Sequence, residues 1–506
     1  MGSWLGKYDV IFPGAQIRID SYEKWRALDG FLTGHSPDYY LPINSSLTPS
    51  EKGSRFLYNS TYFHECRHVL DYALCPSLTA RQATLFVSGL YGFGIMDLLH
   101  YYPGIFDVIP NPLVKWIRLS PSEKKEYLSS WGYDPEHCIY PDVYLSSDTL
   151  VDQIPPVSDP SNIKSVVESL LAQAYCSRVQ FDSYDPQYQD PSGKVYSTSS
   201  ILESSALLTQ LAAIAYYYGK EGKDFARNLI TRMAQPGSQV YLDALFFVAS
   251  HLISRGFKDD FYKYIPFILH WALLCQRYSF AYPSQPPISS NPAFRLFILL
   301  TNSIIEKDDL SILLHDPIAV YNQWQDRLGL DKIDLFFGSE ILESIRPRIE
   351  RTSYTSMLLS PLLNSVICFK EKVTKTFSTN PTGYINPAAF IKNPYSYPDI
   401  PVRFIYSKQA LKERNSDKKY STFLKSFDDS SSSEIFDVVD APRFPVRPGT
   451  AFLHPESEDI ILSGEKLQNK EAVIRLSELL LSGIKDDLDE QCIRDLTGGT
   501  DICYIF

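Results

Sequence analysis

Apolar positions recur at helical spacing through most of the chain after residue 198. The segments 198–218, 220–234, 238–255, 258–279, 292–306, 309–328 and 338–372 each read as a long helix. Earlier, Ser54 to Leu74 is apolar on most sides, and Pro76 closes it. Thr79 is placed to cap an apolar helix from Ala80 to Tyr101, and Ser161 to Gln180 is amphipathic. Period-two alternation is confined to Val10-Ile11-Phe12 and Gln16 to Asp20, either side of Pro13-Gly14, and to a short run at Ile460 to Leu462. Residues 102–160 are rich in Pro, Tyr and Asp and read as a loop-rich insertion with one short helix near Pro121 to Trp131. From Asn380 to Pro401, Asn380-Pro381, Asn386-Pro387, Asn393-Pro394 and Tyr397-Pro398 favour turns and extended chain. Asp428 to Ser433 reads as a surface linker. The expected fold class is mainly α (α+β), with a small N-terminal sheet and a mixed C-terminal region.

At 506 residues the chain exceeds what one core usually serves. The pattern divides it at 1–220, 221–379 and 380–506. A net charge of −11 and the absence of a dense Lys/Arg run argue against nucleic acid as the main partner. The longest apolar run, near Ile265 to Cys275, is broken by His270 and is too short to span a bilayer. No basic n-region and apolar h-region open the chain, so the expected location is the cytoplasm, with signal-less secretion an open alternative. The eight cysteines are scattered without a C-x-x-C, which suits reduced, buried thiols.

One motif carries chemistry. His64-Glu65-Cys66-Arg67-His68 spells H-E-x-x-H in a chain with only 9 His. Residues four apart on a helix are offset by about 40°, so both imidazoles face one way, and Glu65 lies about 100° from His64. Two nitrogen ligands beside a carboxylate base suit a zinc hydrolase. The apolar flanks, Tyr62-Phe63 before and Val69-Leu70 after, predict burial, and buried histidines need partners. A surface helix with two solvated histidines is the bland alternative.

A catalytic zinc needs a third protein ligand. Glu203 is the best candidate, being the only charged residue between Lys194 and Lys220, on an otherwise apolar helix where a carboxylate must be desolvated unless a cation meets it. Ser204, Ser205 and Ala206 are small enough to let that helix approach closely. Asp97 and His100, at i and i+3 on the helix that follows the motif helix, are the rival source of a ligand or of a transition-state donor. Asp71 is placed to orient a ligand imidazole, or else to pair with a Lys or Arg. Tyr217 or Tyr218 is a candidate donor to a developing oxyanion, while His137, His251, His270, His315 and His454 read as structural.

Through His64, Glu65, His68 and Leu202-Glu203-Ser204-Ser205-Ala206, the chain resembles the gluzincin-like H-E-x-x-H metallopeptidases. The metzincin continuation fails, because Asp71 and Leu74 occupy its Gly and His/Asp positions. The resemblance implies a zincin-like helical catalytic core within 1–220, Zn²⁺ on His64, His68 and Glu203, and Glu65 polarising water. The interval from His68 to Glu203 is longer than in the best-known members. The expected activity is zinc-dependent hydrolysis of a peptide bond in a protein substrate, with the loops at 102–160 and 380–401 walling a cleft. The helical and C-terminal regions are candidate surfaces for a protein partner. Two other classes stay open: an α-helical interaction scaffold with an inactive motif, and a metal-dependent hydrolase of a non-peptide amide or ester.

Overall fold

The helix bearing the motif, α1 (Pro49–Leu74), starts where Pro49 presets φ at a position whose amide needs no helical partner. It stops ahead of Pro76. The computed structural model describes residues 6–9, 14–19, 48–76, 78–79, 82–83, 86, 187–189, 193–235, 238–257, 260–274, 291–302, 309–330, 332–333, 335, 337–350, 353–393, 397–398, 400 and 402–406. Among these the architecture is mainly helical: α2 (Thr198–Met233), α3 (Val240–Ser254), α4 (Ile265–Leu273), α5 (Pro292–Thr301), α6 (Pro317–Leu328), α7 (Phe337–Glu350), α8 (Ser353–Thr379), α9 (Pro381–Ile385) and α10 (Pro387–Lys392) follow α1. The segments expected at 80–101, 102–160, 161–180 and beyond 406 lie outside the described residues or almost wholly so, and His100 with them.

Two small sheets accompany the helices. Strand β1 (Gly6–Asp9) pairs antiparallel with β2 (Gly14–Ile19), with Gly6 opposite Ile17, while the strand expected at Val10 to Phe12 lies outside the described residues. The hairpin lies against α1. Its other neighbour was not expected: β5 (Val402–Tyr406) joins β2 in parallel, with Ala15 opposite Val402. Strands β3 (Gln187–Gln189) and β4 (Val195–Ser197) form a separate antiparallel pair, and β4 runs straight into α2.

Local chemistry explains most boundaries. Ser197 caps α2 reciprocally with Ser200, whose amide it accepts at 3.1 Å while its own amide donates to the Ser200 hydroxyl at 3.3 Å. The two helices expected at 198–218 and 220–234 are present within the span of α2, joined at a kink where Gly219 takes φ 53° and ψ −126°. At Gly222 a Cβ would stand 2.4 Å from the Ile214 carbonyl, so only glycine lets the chain pass this kink. Two of the Asn-Pro pairs expected to form turns and extended chain are helix starts, while Asn393 ends α10. Asn380 accepts from the Gly383 amide and Asn386 from the Ala388 amide, with Pro in the first turn each time. Asn291 and Asp316 do the same for α5 and α6. An Asx side chain supplies the cap, and the following proline's fixed φ suits the first turn.

Among the described residues a hydrophobic core draws on positions from Phe63 to Ile400, on both sides of residues 220 and 379. From Phe63 to Pro76 every residue of α1 and its C-terminal turn is buried. Later parts of the chain close over it. Tyr384 donates to the Leu70 carbonyl at 3.0 Å and accepts from Arg67 at its own carbonyl at 2.8 Å. Tyr217 reaches the Ile391 carbonyl at 3.1 Å, and its ring stacks on Phe63. His270 is buried among Tyr321, Phe377 and Tyr384, and burial drives its pKa well below the usual histidine value.

Lys370 of α8 is 4% exposed and donates to the Ala73 carbonyl at 2.6 Å, capping the end of α1. Burial lowers its ammonium pKa to about 7. Between about pH 7 and pH 10 the unfolded chain therefore holds a proton that the folded protein does not, and stability rises with pH across that window. Relative to Lys370→Met, the wild type is expected to gain about 4 kcal/mol of unfolding free energy from pH 7 to pH 10. Urea melts at several pH values check this, and a difference independent of pH contradicts it.

Candidate metal centre

Helices α1 and α2 run side by side in opposite directions, joined at one end by Lys52 and Glu221 (3.2 Å) and midway by Gln210 donating to the Ser60 hydroxyl at 3.1 Å. Further along, Ser205 donates to Asp71 Oδ2 at 2.7 Å. Beside these bonds, three side chains converge. His64 Nε2 lies 3.0 Å from His68 Nε2 and 3.1 Å from Glu203 Oε2, and His68 Nε2 lies 3.3 Å from the same oxygen.

Those distances test whether a metal fits. Ligand atoms about 2.0–2.1 Å from a tetrahedral ion stand about 3.3–3.4 Å from one another. The three edges here, 3.0 to 3.3 Å, come within about 0.4 Å of that. Three atoms bearing lone pairs converge, an arrangement that a proton or a cation makes favourable. The imidazole pair is 6% and 2% exposed, so water does not replace that cation easily. His64, His68 and Glu203 thus form a group able to hold a metal ion.

Electrostatics separates the two glutamates. Burial resists ionisation of Glu203, but the charges and hydrogen bonds of the two imidazoles outweigh it and hold its carboxyl well below the ordinary range. Glu65 is buried without that benefit. Desolvation, reinforced by the Glu203 charge and opposed by His64, lifts it to about 7. One carboxylate is kept as an anion, and the other is poised to exchange a proton near neutrality.

Of the remaining sequence candidates, Asp71 sits on the expected face but does not serve an imidazole. Its two oxygens are taken by Arg67 and by Ser205. Tyr217 lies fourteen residues beyond Glu203, about 21 Å along the helix, with its hydroxyl on Ile391, so it is not at this centre. Tyr218 contacts Phe56 instead.

Tyr241 is the residue that sequence reasoning missed. It stands in the first turn of α3, its ring centroid 6.0 Å from that of His64. Burial, with the Glu203 and Glu65 carboxylates adding to it, pushes its phenol up to about 12, so it keeps its proton at neutral pH. Ser204 places it by donating to the Tyr241 carbonyl and accepting from the Leu245 amide, each at 3.1 Å. No spacing rule points to Tyr241; only the return of α3 alongside α2 brings it there.

The chain is therefore a mainly α-helical protein with a His-His-Glu group suited to a metal ion. No family model, curated protein or solved structure matches it. No helix among the described residues is long and apolar enough to cross a membrane.

Proposed function

We propose that the protein is a zinc-dependent, gluzincin-like metallopeptidase that hydrolyses a peptide bond of a protein substrate. The observation that carries this reading is the triangle of His64, His68 and Glu203 ligand atoms, 3.0 to 3.3 Å on a side, with Glu65 next to His64 on the same buried helix. The donor set favours zinc, since two imidazoles and one carboxylate make the three-ligand arrangement that leaves a fourth position for catalysis.

Zn²⁺ held there supplies Lewis acidity, which polarises a scissile carbonyl and makes water nucleophilic near neutral pH. The chain's own groups do the rest. Glu65 takes a proton from the attacking water as its oxygen bonds to the carbonyl carbon. Tyr241, still protonated, donates to the oxygen on which negative charge develops. Glu65 then gives its proton to the amine nitrogen as the carbon–nitrogen bond breaks, and returns to the carboxylate form.

Elemental analysis of protein purified without added metal, paired with cleavage of a diverse peptide library, tests this. The expected result is about one zinc per chain and peptide products that vanish with a chelator and return with zinc. Absence of bound metal at micromolar zinc sinks the proposal in favour of a helical scaffold. Metal-dependent turnover of chromogenic esters, without cleavage of any peptide, moves it to another hydrolase class.

A further inference from the structure

We infer that Ser205 and Asp71 are positioning residues for the metal centre: their hydrogen bond sets the roll of α2 and so holds the Glu203 carboxylate against the two imidazoles. The inference rests on the metal-centre reading above and assigns these residues a task apart from ligation.

Three consecutive residues of α2 define the geometry. Successive side chains step by about 100°, so Glu203 and Ser205 are about 160° apart by the shorter way round, with Ser204 opposite the middle of that arc. Ser204 faces α3, where it bonds the Tyr241 carbonyl and the Leu245 amide. Glu203 and Ser205 therefore straddle α1, one on each flank. On one flank the carboxylate meets His64 and His68; on the other the Ser205 hydroxyl meets Asp71 at 2.7 Å. Any roll of α2 about its axis carries one of these groups toward α1 and the other away. A short bond on the Ser205 side therefore opposes displacement of Glu203.

Asp71 is a firm anchor for that bond. It is 1% exposed, and its other oxygen is paired with Arg67, itself buried and bonded to the Tyr384 carbonyl at 2.8 Å. Tyr384 returns a bond to Leu70, so the anchor continues into α9. The Gln210 to Ser60 bond pins the axial register of the two helices on the far side of the centre but lies on the Glu203 flank, since residues seven apart share a face. It does not oppose roll as Ser205 does. Support of this kind matters because a ligand carboxylate displaced by a fraction of an ångström loses coordination distance without losing any contact of the core.

The test is Ser205→Ala, with Ser205→Thr as the variant that keeps a hydroxyl. Asp71 itself is a poor choice, because its loss strands the buried Arg67 charge and threatens folding. The affinity of the full chain for Zn²⁺ is measured by chelator competition. Co²⁺ is used separately as a geometry probe through its visible d–d absorption. Ser205→Ala is expected to bind Zn²⁺ about tenfold more weakly, to give an altered Co²⁺ spectrum, and to melt lower in the metal-free form, because the buried Asp71 oxygen loses its donor. Ser205→Thr is expected to restore affinity and spectrum. Equal affinity of Ser205→Ala and wild type overturns the inference. So does a weakened affinity that follows a lowered metal-free melting temperature in both variants, which marks a hydroxyl serving only the fold. A wild type that binds neither ion overturns the metal-centre reading itself, and the two failures are thereby distinguished.

Discussion

Glu65→Gln is expected to keep about one zinc per chain while lowering turnover by about 10²–10⁴-fold. The substitution preserves shape and polarity at a position 5% exposed and adjacent to a ligand, so His64, His68 and Glu203 keep their places. What it removes is a group able to take a proton and give it back. An amide cannot do so, and among the described residues the carboxylates near it are engaged, Glu203 as an anion between two imidazoles and Asp71 by Arg67 and Ser205. Steady-state cleavage of the best library peptide, with metal content measured on the same samples, checks both halves. Unchanged turnover in a metal-loaded Glu65→Gln protein would falsify the general-base role and with it the mechanism.

Glu203→Ala is the second variant with a large expected effect. Zinc affinity should fall by at least about 100-fold, leaving two imidazoles 3.0 Å apart with no anionic partner. The metal-free protein is expected to lose stability as well, because the two imidazoles stabilise the Glu203 anion beyond its desolvation cost. The metal-free melting temperature should therefore fall below that of the wild type, and, separately, the rise produced by zinc should disappear. In the wild type, zinc at 100 times its dissociation constant should add about 2.7 kcal/mol. Parallel melts with and without zinc separate this outcome from general destabilisation. A Glu203→Ala protein still stabilised by micromolar zinc would point to a different third ligand.

The chemistry-bearing helix was legible because H-E-x-x-H is a periodicity as well as a motif. The 3.6-residue turn puts both imidazoles on one face whatever surrounds them, and the apolar flanks predict the burial observed from Phe63 to Pro76. Glu203 was legible for a related reason, since an isolated carboxylate in an apolar run implies a compensating partner. Asp71 and Tyr217 show where such reasoning stops. Spacing placed Asp71 on the ligand face, but it pairs with Arg67 one turn back on the same helix and with Ser205, whose approach depends on which helix lies opposite. Tyr217 shares a helix with Glu203, yet three to four turns separate them, and its hydroxyl serves the Ile391 carbonyl.

The Asn-Pro pairs give a different lesson. Read as punctuation they suggest extended chain; read as cap plus first-turn proline they start α5, α9 and α10, with Asp316-Pro317 starting α6. In the first turn proline forfeits no helical hydrogen bond and restricts only the residue before it, and that residue is the cap, whose backbone is already non-helical.

By itself the sequence pointed to most of the helices, to the two-histidine face and to Glu203 as an isolated carboxylate in an apolar run, because these depend on neighbours within a few turns. The tertiary structure alone decided that β5 closes on β2, that α3 brings Tyr241 to His64, and that Ser205 and Asp71 meet beside the candidate ligands. Such pairings join residues far apart in the chain, and their partners are chosen by how the whole core packs, which no local spacing encodes.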